Sequence, residues 1–189
     1  MTSSSDDDIQ LMQQLANGED LALNTLMARW RGRVAAFLLR MVGDHATAMD
    51  LTQESFVRLY TSRHRYQPTA VFSTYLFHIA ANLARSHIRW KGRHPTVPLT
   101  DNEGAMIHES ADPQLSPDDA AALHEKTTLV NQAIAILPTD LREALLLFTV
   151  EDMSHTEVAA ALGCSAKAIE VRIYRARQML RGIIAKQAP

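Results

Sequence analysis

Apolar side chains recur every three or four residues along most of the chain, which is the period of an amphipathic helix. No segment shows the clear polar–apolar alternation of a strand. Before residue 92 the pattern predicts four helices. The first starts near Ile9, apolar stripes follow over 21–30 and 34–41, a further helix or an extension covers 46–60, and a long helix covers 72–91.

A second helical block starts near residue 123, with helices predicted over 123–136, 139–149, 154–162 and 165–186. The segment 92–122 between the blocks combines four prolines with six acidic residues and little apolar periodicity. A connection of this length is unusual inside one compact domain, and its composition is typical of a solvated linker. We therefore expect an all-α protein in which small helical domains over 1–91 and 123–189 are joined by an acidic flexible linker.

The last two helices have the pattern of a helix-turn-helix. Ser154 and Glu157 form an S-x-x-E capping box, and Gly163 tolerates the left-handed backbone of a sharp turn. The second helix carries an apolar stripe of Ile169, Ile173, Ala176 and Leu180. Its opposite side carries Lys167, Val171, Tyr174, Arg175 and Gln178. Such a helix can enter a major groove, although an ordinary basic helical hairpin has the same pattern.

The long helix over 72–91 carries a separate polar and basic face made of His78, Asn82, Arg85 and Arg89. Aromatic residues lie at its start, and arginines precede it in a loop. Arginines bind phosphates and aromatic rings stack on unpaired bases, so this mixture suits single-stranded nucleic acid. A solvated basic face beside ordinary core aromatics explains the pattern equally well.

A third polar group lies at Asp50, Gln53 and Glu54, which share one helix face with Val57. By itself this group is a solvated charge cluster.

Charge and cysteine content narrow the class of protein. The net charge of −2 averages over +2 for residues 1–91, −5 for 92–122 and +1 for 123–189, so the acidic middle conceals basic surfaces on both sides. The single cysteine, Cys164, excludes an internal disulfide and a cysteine-based zinc site. The chain has no membrane-length apolar run, and its acidic start is unlike a signal peptide, so we expect a cytoplasmic protein without membrane insertion.

Four motifs, in this order along the chain, resemble the extracytoplasmic-function sigma factors. They are 50–56, 74–82, the Leu-Pro-x-x-x-Arg-Glu segment 137–143, and the helix-turn-helix ending at 175–177. The resemblance extends from about residue 9 to 182 and leaves the linker unmatched in detail. It implies a two-domain promoter-specificity subunit of RNA polymerase that has no catalysis and no cofactor of its own.

The resemblance also implies three sets of contact residues. The set that binds the clamp of the large polymerase subunit is Asp50, Gln53, Glu54 and Phe56. The set for the minus-10 promoter element is Arg65, Phe72, Tyr75, Asn82, Arg85, Arg89 and Lys91, with Asn82 and the loop 63–71 capturing a flipped base. The set for the minus-35 element is Ser165, Lys167, Glu170, Val171, Arg172 and Arg175.

The partners implied are core RNA polymerase, bound through its clamp and flap, promoter DNA, and an anti-sigma factor between the two domains. The acidic linker is implied to pass through the RNA exit path of the polymerase. Two residues depart from the family pattern. Ser86 replaces a usual Asp or Asn, and Glu170 replaces a common Lys or Arg.

The departure at Glu170 has two interpretations. Its carboxylate can accept a hydrogen bond from cytosine N4 or orient Arg172 or Arg175. Alternatively, it is a peripheral residue that pairs with Arg177 or Tyr174.

Two other function classes are compatible with a helical chain of this composition. An autonomous helix-turn-helix regulator predicts a ligand pocket and a two-fold dimer on palindromic DNA. A helical enzyme would have to use the eight histidines, which show no HExxH or comparable metal-binding spacing.

Overall fold

The computed structural model describes the backbone over 4–67, 71–94 and 117–187, and side chains over 6–67, 71–94 and 127–186. Within these ranges every regular element is a helix, and the helices form two domains. The predicted all-α, two-domain fold is confirmed.

The N-terminal domain consists of α1 (Ser4–Ala16), α2 (Leu21–Val42), α3 (His45–Thr61) and α4 (Phe72–Arg93), with a 3-10 turn over Arg63–Arg65. The stripes predicted over 21–30 and 34–41 belong to one helix, α2, because the residues between them do not interrupt it. Helix α3 is separate from α2. Gly43 ends α2 in the left-handed conformation, and the Asp44 side chain accepts a hydrogen bond from the Thr47 N–H at 2.7 Å to start α3.

Edge-to-face aromatic contacts fill the centre of this domain. Trp30 packs against Phe72 and Phe77 with ring centroids 5.8 and 6.3 Å apart, and Phe37 packs against Phe77 at 5.4 Å. The buried carboxylate of Asp8 accepts hydrogen bonds from Trp30 Nε1 at 2.9 Å and Arg29 Nη1 at 2.8 Å. These bonds attach α1 to α2.

The C-terminal domain consists of α5 (Pro117–Ile136), α6 (Thr139–Thr149), α7 (His155–Leu162) and α8 (Ala166–Gln187). Helix α5 begins six residues before the predicted position 123, so the last part of the expected linker is helical. Proline is tolerated at the first helical position because its missing N–H has no intrahelical partner there. The remaining linker residues, 95–116, lie outside the described residues.

The helix-turn-helix forms as its sequence predicts. Ser154 Oγ accepts from the Glu157 N–H at 3.3 Å and the Ser154 N–H donates to Glu157 Oε2 at 2.8 Å, which completes the capping box. Gly163 ends α7 at φ 68°. Along α8, Ile169, Ile173 and Ala176 are buried and Leu180 is partly buried.

The two domains pack against each other, with α4 against α7 and α2 against α5 and α6. Their buried apolar residues form one continuous cluster. Because α4 packs against helices of both domains, its buried residues include Ala80, Ala81 and Ala84 as well as the larger apolar residues Leu76, Ile79 and Leu83. Near the end of α4, Trp90 is 50% exposed and stacks on His94 with ring centroids 4.9 Å apart.

Replacing Gly163 with alanine tests the turn between α7 and α8. An added Cβ meets no atom within 4 Å at Gly163 or at Gly182, so the two sites differ in backbone conformation rather than in space. We expect Gly163→Ala to lower the free energy of unfolding by about 1–2 kcal/mol, because its φ is left-handed. Gly182→Ala, within α8, should instead raise it by about 0.5–1 kcal/mol. Urea unfolding of both variants measures the difference, and equal effects would contradict this account.

Candidate nucleic-acid interface

Helix α8 exposes most of the residues predicted to read duplex DNA. Lys167, Val171 and Arg175 are exposed on the side opposite the buried stripe. Ser165 is also exposed, and its Oγ accepts from the Ala168 N–H at 3.2 Å at the start of the helix. The exposed side therefore has the shape and charge that a major groove can accept.

Glu170 pairs with a residue that neither sequence interpretation named. Its Oε2 lies 2.7 Å from Lys167 Nζ, one turn earlier on α8. The hydrogen bond and charge of Lys167 lower the pKa of the Glu170 carboxyl. Tyr174, one of the proposed partners, accepts a hydrogen bond from Gln178 instead. The recognition surface therefore presents an ion pair of Lys167 and Glu170.

Arg172 differs from the other predicted minus-35 residues because its side chain is only 28% exposed and faces α6. Its guanidinium lies 3.8 Å from Asp140 and 3.8 Å from Glu143. A weak contact with Cys164 Sγ at 3.9 Å completes its surroundings. Here Arg172 connects the recognition helix to its own domain, so a direct DNA contact would require this side chain to move.

On α4, His78, Asn82 and Arg85 form a hydrogen-bonded chain that ends in the C-terminal domain at both sides. His78 Nδ1 lies 2.8 Å from the Ala161 carbonyl oxygen, which can only accept, so Nδ1 carries the proton. His78 Nε2 then accepts from Asn82 Nδ2 at 3.0 Å, and Asn82 Oδ1 accepts from Arg85 Nη2. Arg85 Nη1 donates to both oxygens of Glu143, at 3.1 and 3.2 Å.

The basic surface continues beyond this chain. Arg89 and Lys91 are exposed, as expected for residues that face a nucleic-acid strand. Ser86, Arg89 and Arg93 line an open cleft on this side of α4. The serine that replaces the usual Asp or Asn therefore keeps a polar group beside two arginines.

Phe72 and Tyr75 do not form the exposed aromatic platform that the sequence suggested. Phe72 is completely buried against Trp30, because the first turn of α4 enters the domain core. Tyr75 is half-buried, its hydroxyl lies 2.6 Å from Ser62 Oγ, and its ring packs on Tyr66 at 5.2 Å. In this arrangement Phe72 lies in the core, and its contact with the minus-10 element stays a prediction. Arg65 is exposed, and residues 68–70 of the predicted capture loop lie outside the described residues.

The predicted polymerase-binding group lies on α3. Asp50 and Gln53 are exposed, and Glu54 is half-buried and accepts a hydrogen bond from Arg58 at 2.7 Å. Phe56 is only 3% exposed because it faces the domain core. Its neighbour Val57 is 53% exposed and adds an apolar side chain to this surface.

Sequence reasoning missed two arginines that make contacts between the domains. Arg33 Nε donates to Glu151 Oε2 at 2.8 Å and Arg33 Nη2 donates to the Glu151 carbonyl at 3.1 Å, while its guanidinium stacks on Trp30 at 4.4 Å. Arg142 donates to the Met41 carbonyl at 2.6 Å, near the C-terminus of α2. These partners lie about a hundred residues apart in sequence, so helical periodicity has no signal for them.

Burial dominates the titration of the interdomain carboxylates. Desolvation raises the pKa of Glu143 above its ordinary value, although Arg85 and Arg172 oppose the shift. Desolvation also raises the pKa of Glu151, against the opposing effect of Arg33. For both carboxylates, the cost of lost hydration therefore outweighs the stabilisation of the charged form by the paired arginines.

The described residues contain no cluster of three or more side chains suited to a metal ion. Among the helices of those same residues, none is long and apolar enough to cross a membrane.

Comparisons with known proteins divide the chain at the same place as its fold. The family models described as Sigma-70 region 2 and Sigma-70, region 4 match residues 26–94 and 128–180. The RNA polymerase sigma-H factor of Pseudomonas aeruginosa is 31% identical over 92% of this chain and 91% of its own length. The ECF RNA polymerase sigma-E factor of Escherichia coli K12 is 31% identical over 90% of each chain.

Two solved structures share the fold. CnrH, in complex with the cytosolic domain of CnrY, superposes with a TM-score of 0.69 and 26% identity over 96% of this chain and 99% of its own. The sigma factor RpoE of Bartonella quintana, in complex with the anti-sigma factor NepR, gives a TM-score of 0.67 at 20% identity, over 86% of this chain and 96% of its own.

Neutralising Glu151 should change how stability depends on pH. Because its pKa is raised in the folded chain from the ordinary value of 4.5, its contribution to stability is present below that value and is lost as pH rises through the folded pKa. We expect the free energy of unfolding of Glu151→Gln, relative to wild type, to increase from about pH 4 to pH 7. Denaturant unfolding across this range measures it. Glu19→Gln, at an exposed position, is the control for losing one charge, and a pH-independent difference for Glu151→Gln would contradict the expectation.

Proposed function

The chain belongs to the extracytoplasmic-function sigma factors, alternative transcription initiation factors of the sigma-70 family, and we propose that its two domains read separate promoter elements for core RNA polymerase. The domain over 1–91 binds the clamp and the unpaired minus-10 strand. The domain over 123–189 binds the flap and the minus-35 duplex. The segment that connects α4 to α5 passes through the polymerase between the two promoter elements.

The observation that carries this proposal is that α8 exposes a polar and basic side while its opposite side is buried. Lys167, Val171 and Arg175 are exposed together on a helix whose opposite stripe is buried in its own domain. A helix held in this way can enter a major groove without unfolding its domain. The pair of Lys167 and Glu170 adds a donor and an acceptor to the readout, because a carboxylate can accept from cytosine N4.

The minus-10 role rests on α4. Asn82 supplies an amide that can pair with a base edge, and the exposed Arg89 and Lys91 supply cations for phosphates. Unstacking a base costs on the order of a few kcal/mol, and the binding energy of the flipped base offsets this cost. Base capture thereby assists strand separation. These roles require no catalytic group. We therefore propose that the protein is a polymerase subunit and not an enzyme, and that it acts in the cytoplasm.

We also propose that an anti-sigma factor regulates the chain. The structural neighbours CnrH and Bartonella quintana RpoE were both solved with a partner protein, and the RpoE partner is an anti-sigma factor. An autonomous helix-turn-helix regulator is the alternative. It requires sequence-specific DNA binding by a dimer without polymerase, whereas the sigma-70 matches cover both domains.

Run-off transcription with purified core polymerase and a promoter library tests the proposed function. Transcripts that depend on the protein and share upstream and downstream elements would support it. Sequence-specific binding of the chain alone to palindromic DNA, with no dependent transcript, would support the alternative.

Replacing Asn82 with alanine should reduce open-complex formation by roughly 10-fold, because one base-edge contact is lost. Binding of core polymerase should be unchanged. Permanganate reactivity of unpaired thymines and a polymerase-binding assay measure the two effects. His78→Ala is the matched control, since it removes the neighbouring contact with Ala161 but leaves the amide of Asn82. Equal loss in both variants would contradict a base-reading role for Asn82.

Replacing Glu54 with lysine should weaken binding to core polymerase by roughly 10-fold or more, because a charge is reversed within the α3 surface. Fluorescence anisotropy with labelled protein measures the affinity. Glu19→Lys makes the same charge change at an exposed position away from α3 and should bind as wild type does. Equal affinity of the Glu54 and Glu19 variants would remove α3 from the polymerase interface.

A further inference from the structure

We propose that Trp90 is a base-stacking residue: its exposed indole ring near the end of α4 receives an unpaired base of the minus-10 strand, while Arg89 and Arg93 bind the neighbouring phosphates. The inference rests on the proposed minus-10 role of α4 and adds a residue outside the predicted contact set. It places an aromatic ring at the opposite end of α4 from Phe72, which lies in the core.

The exposure of Trp90 is the first argument. The residue is 50% exposed, whereas Phe72 and Phe77 of the same helix are completely buried. The other tryptophan of the chain, Trp30, is only 9% exposed and donates a hydrogen bond to Asp8. An indole ring has a large apolar surface, and covering it with a ligand is favourable. Of the two tryptophans, Trp90 is therefore the one that a ligand can reach.

His94 holds the indole ring in a defined orientation. Its imidazole stacks on Trp90 with ring centroids 4.9 Å apart and planes inclined by 21°. The Trp90 carbonyl oxygen accepts hydrogen bonds from the His94 N–H at 3.0 Å and from His94 Nδ1 at 3.1 Å. His87 approaches the indole at 6.3 Å with a tilt of 39°, so it does not stack on the ring. A ring that is already ordered loses little freedom when a base binds.

The charges around Trp90 favour a nucleic-acid strand as its partner. No Asp or Glu occurs in α4. Arg89 and Arg93 are exposed and line an open cleft together with Ser86. Neither arginine forms an ion pair with any residue that the structure describes. An exposed ring beside two such cations is the combination with which proteins bind single strands, because the cations bind phosphates and the ring stacks on a base.

The spacing along α4 places Trp90 and Asn82 within reach of one strand. Eight residues separate them, which corresponds to about 12 Å along the helix axis and about 80° around it. Arg93 lies between the two directions, at about 20° from Asn82. Stacked bases of one strand are about 3.4 Å apart and stretched ones are further apart. Trp90 would therefore receive a base roughly two to four nucleotides from the one captured at Asn82.

The fluorescence of Trp90 tests the inference on the full-length chain, both alone and bound to core polymerase. Both tryptophans are replaced by 5-hydroxytryptophan during expression, because this analogue can be excited selectively beside unlabelled polymerase. We expect a mixed-sequence single-stranded DNA of about 20 nucleotides to quench the emission in both forms, since a stacked base quenches an indole. Trp90→Phe keeps only the buried Trp30 and should not respond. Heparin, a polyanion without bases, should leave the emission unchanged.

Substitutions separate stacking from charge. We expect Trp90→Leu to lower the affinity of the full-length chain for this DNA roughly 10-fold, measured by anisotropy, and Trp90→Phe to retain most of it. The slope of log affinity against log salt concentration should not change in Trp90→Leu, because no cation is lost. Arg93→Gln should instead reduce the magnitude of that slope by about 0.7. Circular dichroism checks that each variant keeps the wild-type helix content.

The remaining outcomes would overturn the inference. Absence of quenching in both forms would show that no base reaches Trp90, and equal quenching by heparin would show an effect of charge alone. A loss of affinity for core polymerase in Trp90→Leu, with unchanged affinity for DNA, would assign the ring to a protein contact. Failure of the proposed function would appear separately, as a wild-type chain that supports no run-off transcription whatever its fluorescence shows.

Discussion

The buried carboxylate of Glu143 is the group at which α4, α6 and α8 meet. It lies inside the C-terminal domain at 2% exposure and is reached by Arg172 from α8 and by Arg85 from α4. Removing this carboxylate from water costs more than Arg85 and Arg172 return, so its pKa stays raised. Its two arginine contacts connect α8 to α6 and α4 to α6. The apolar cluster that continues through both domains accompanies these contacts.

The two DNA-binding surfaces proposed for this sigma factor consequently differ in the free chain. Lys167, Val171 and Arg175 on α8 are exposed, while Asn82 and Arg85 on α4 are engaged. A chain with this asymmetry has its duplex-reading surface available before its single-strand surface. That order matches the chemistry of initiation, since unpaired bases exist only after the duplex has opened.

Local features of the sequence were sufficient for the parts of the fold that are governed by nearby residues. The capping box of Ser154 and Glu157, the left-handed Gly163 and the buried stripe of α8 all formed as predicted, because each depends on residues within a few turns. Burial of individual aromatic side chains was less accessible from the sequence. Phe72 and Phe56 lie in the domain core, because aromatic residues on an amphipathic helix suit a core as well as a surface, and their predicted contacts stay predictions.

The sequence by itself determined the helices, the two domains and, through its motifs, the family. Tertiary structure decided which polar side chains are free. His78 and Arg85 bond Ala161 and Glu143 of the C-terminal domain, which are far from them in sequence, and periodicity along one helix contains no information about these partners. The partner of Glu170 was also undetermined by sequence, because several basic or polar side chains lie within two helical turns of it. Side-chain geometry selected Lys167. Pairing between charged groups depends on distance and burial, and both are set only when the domains have packed.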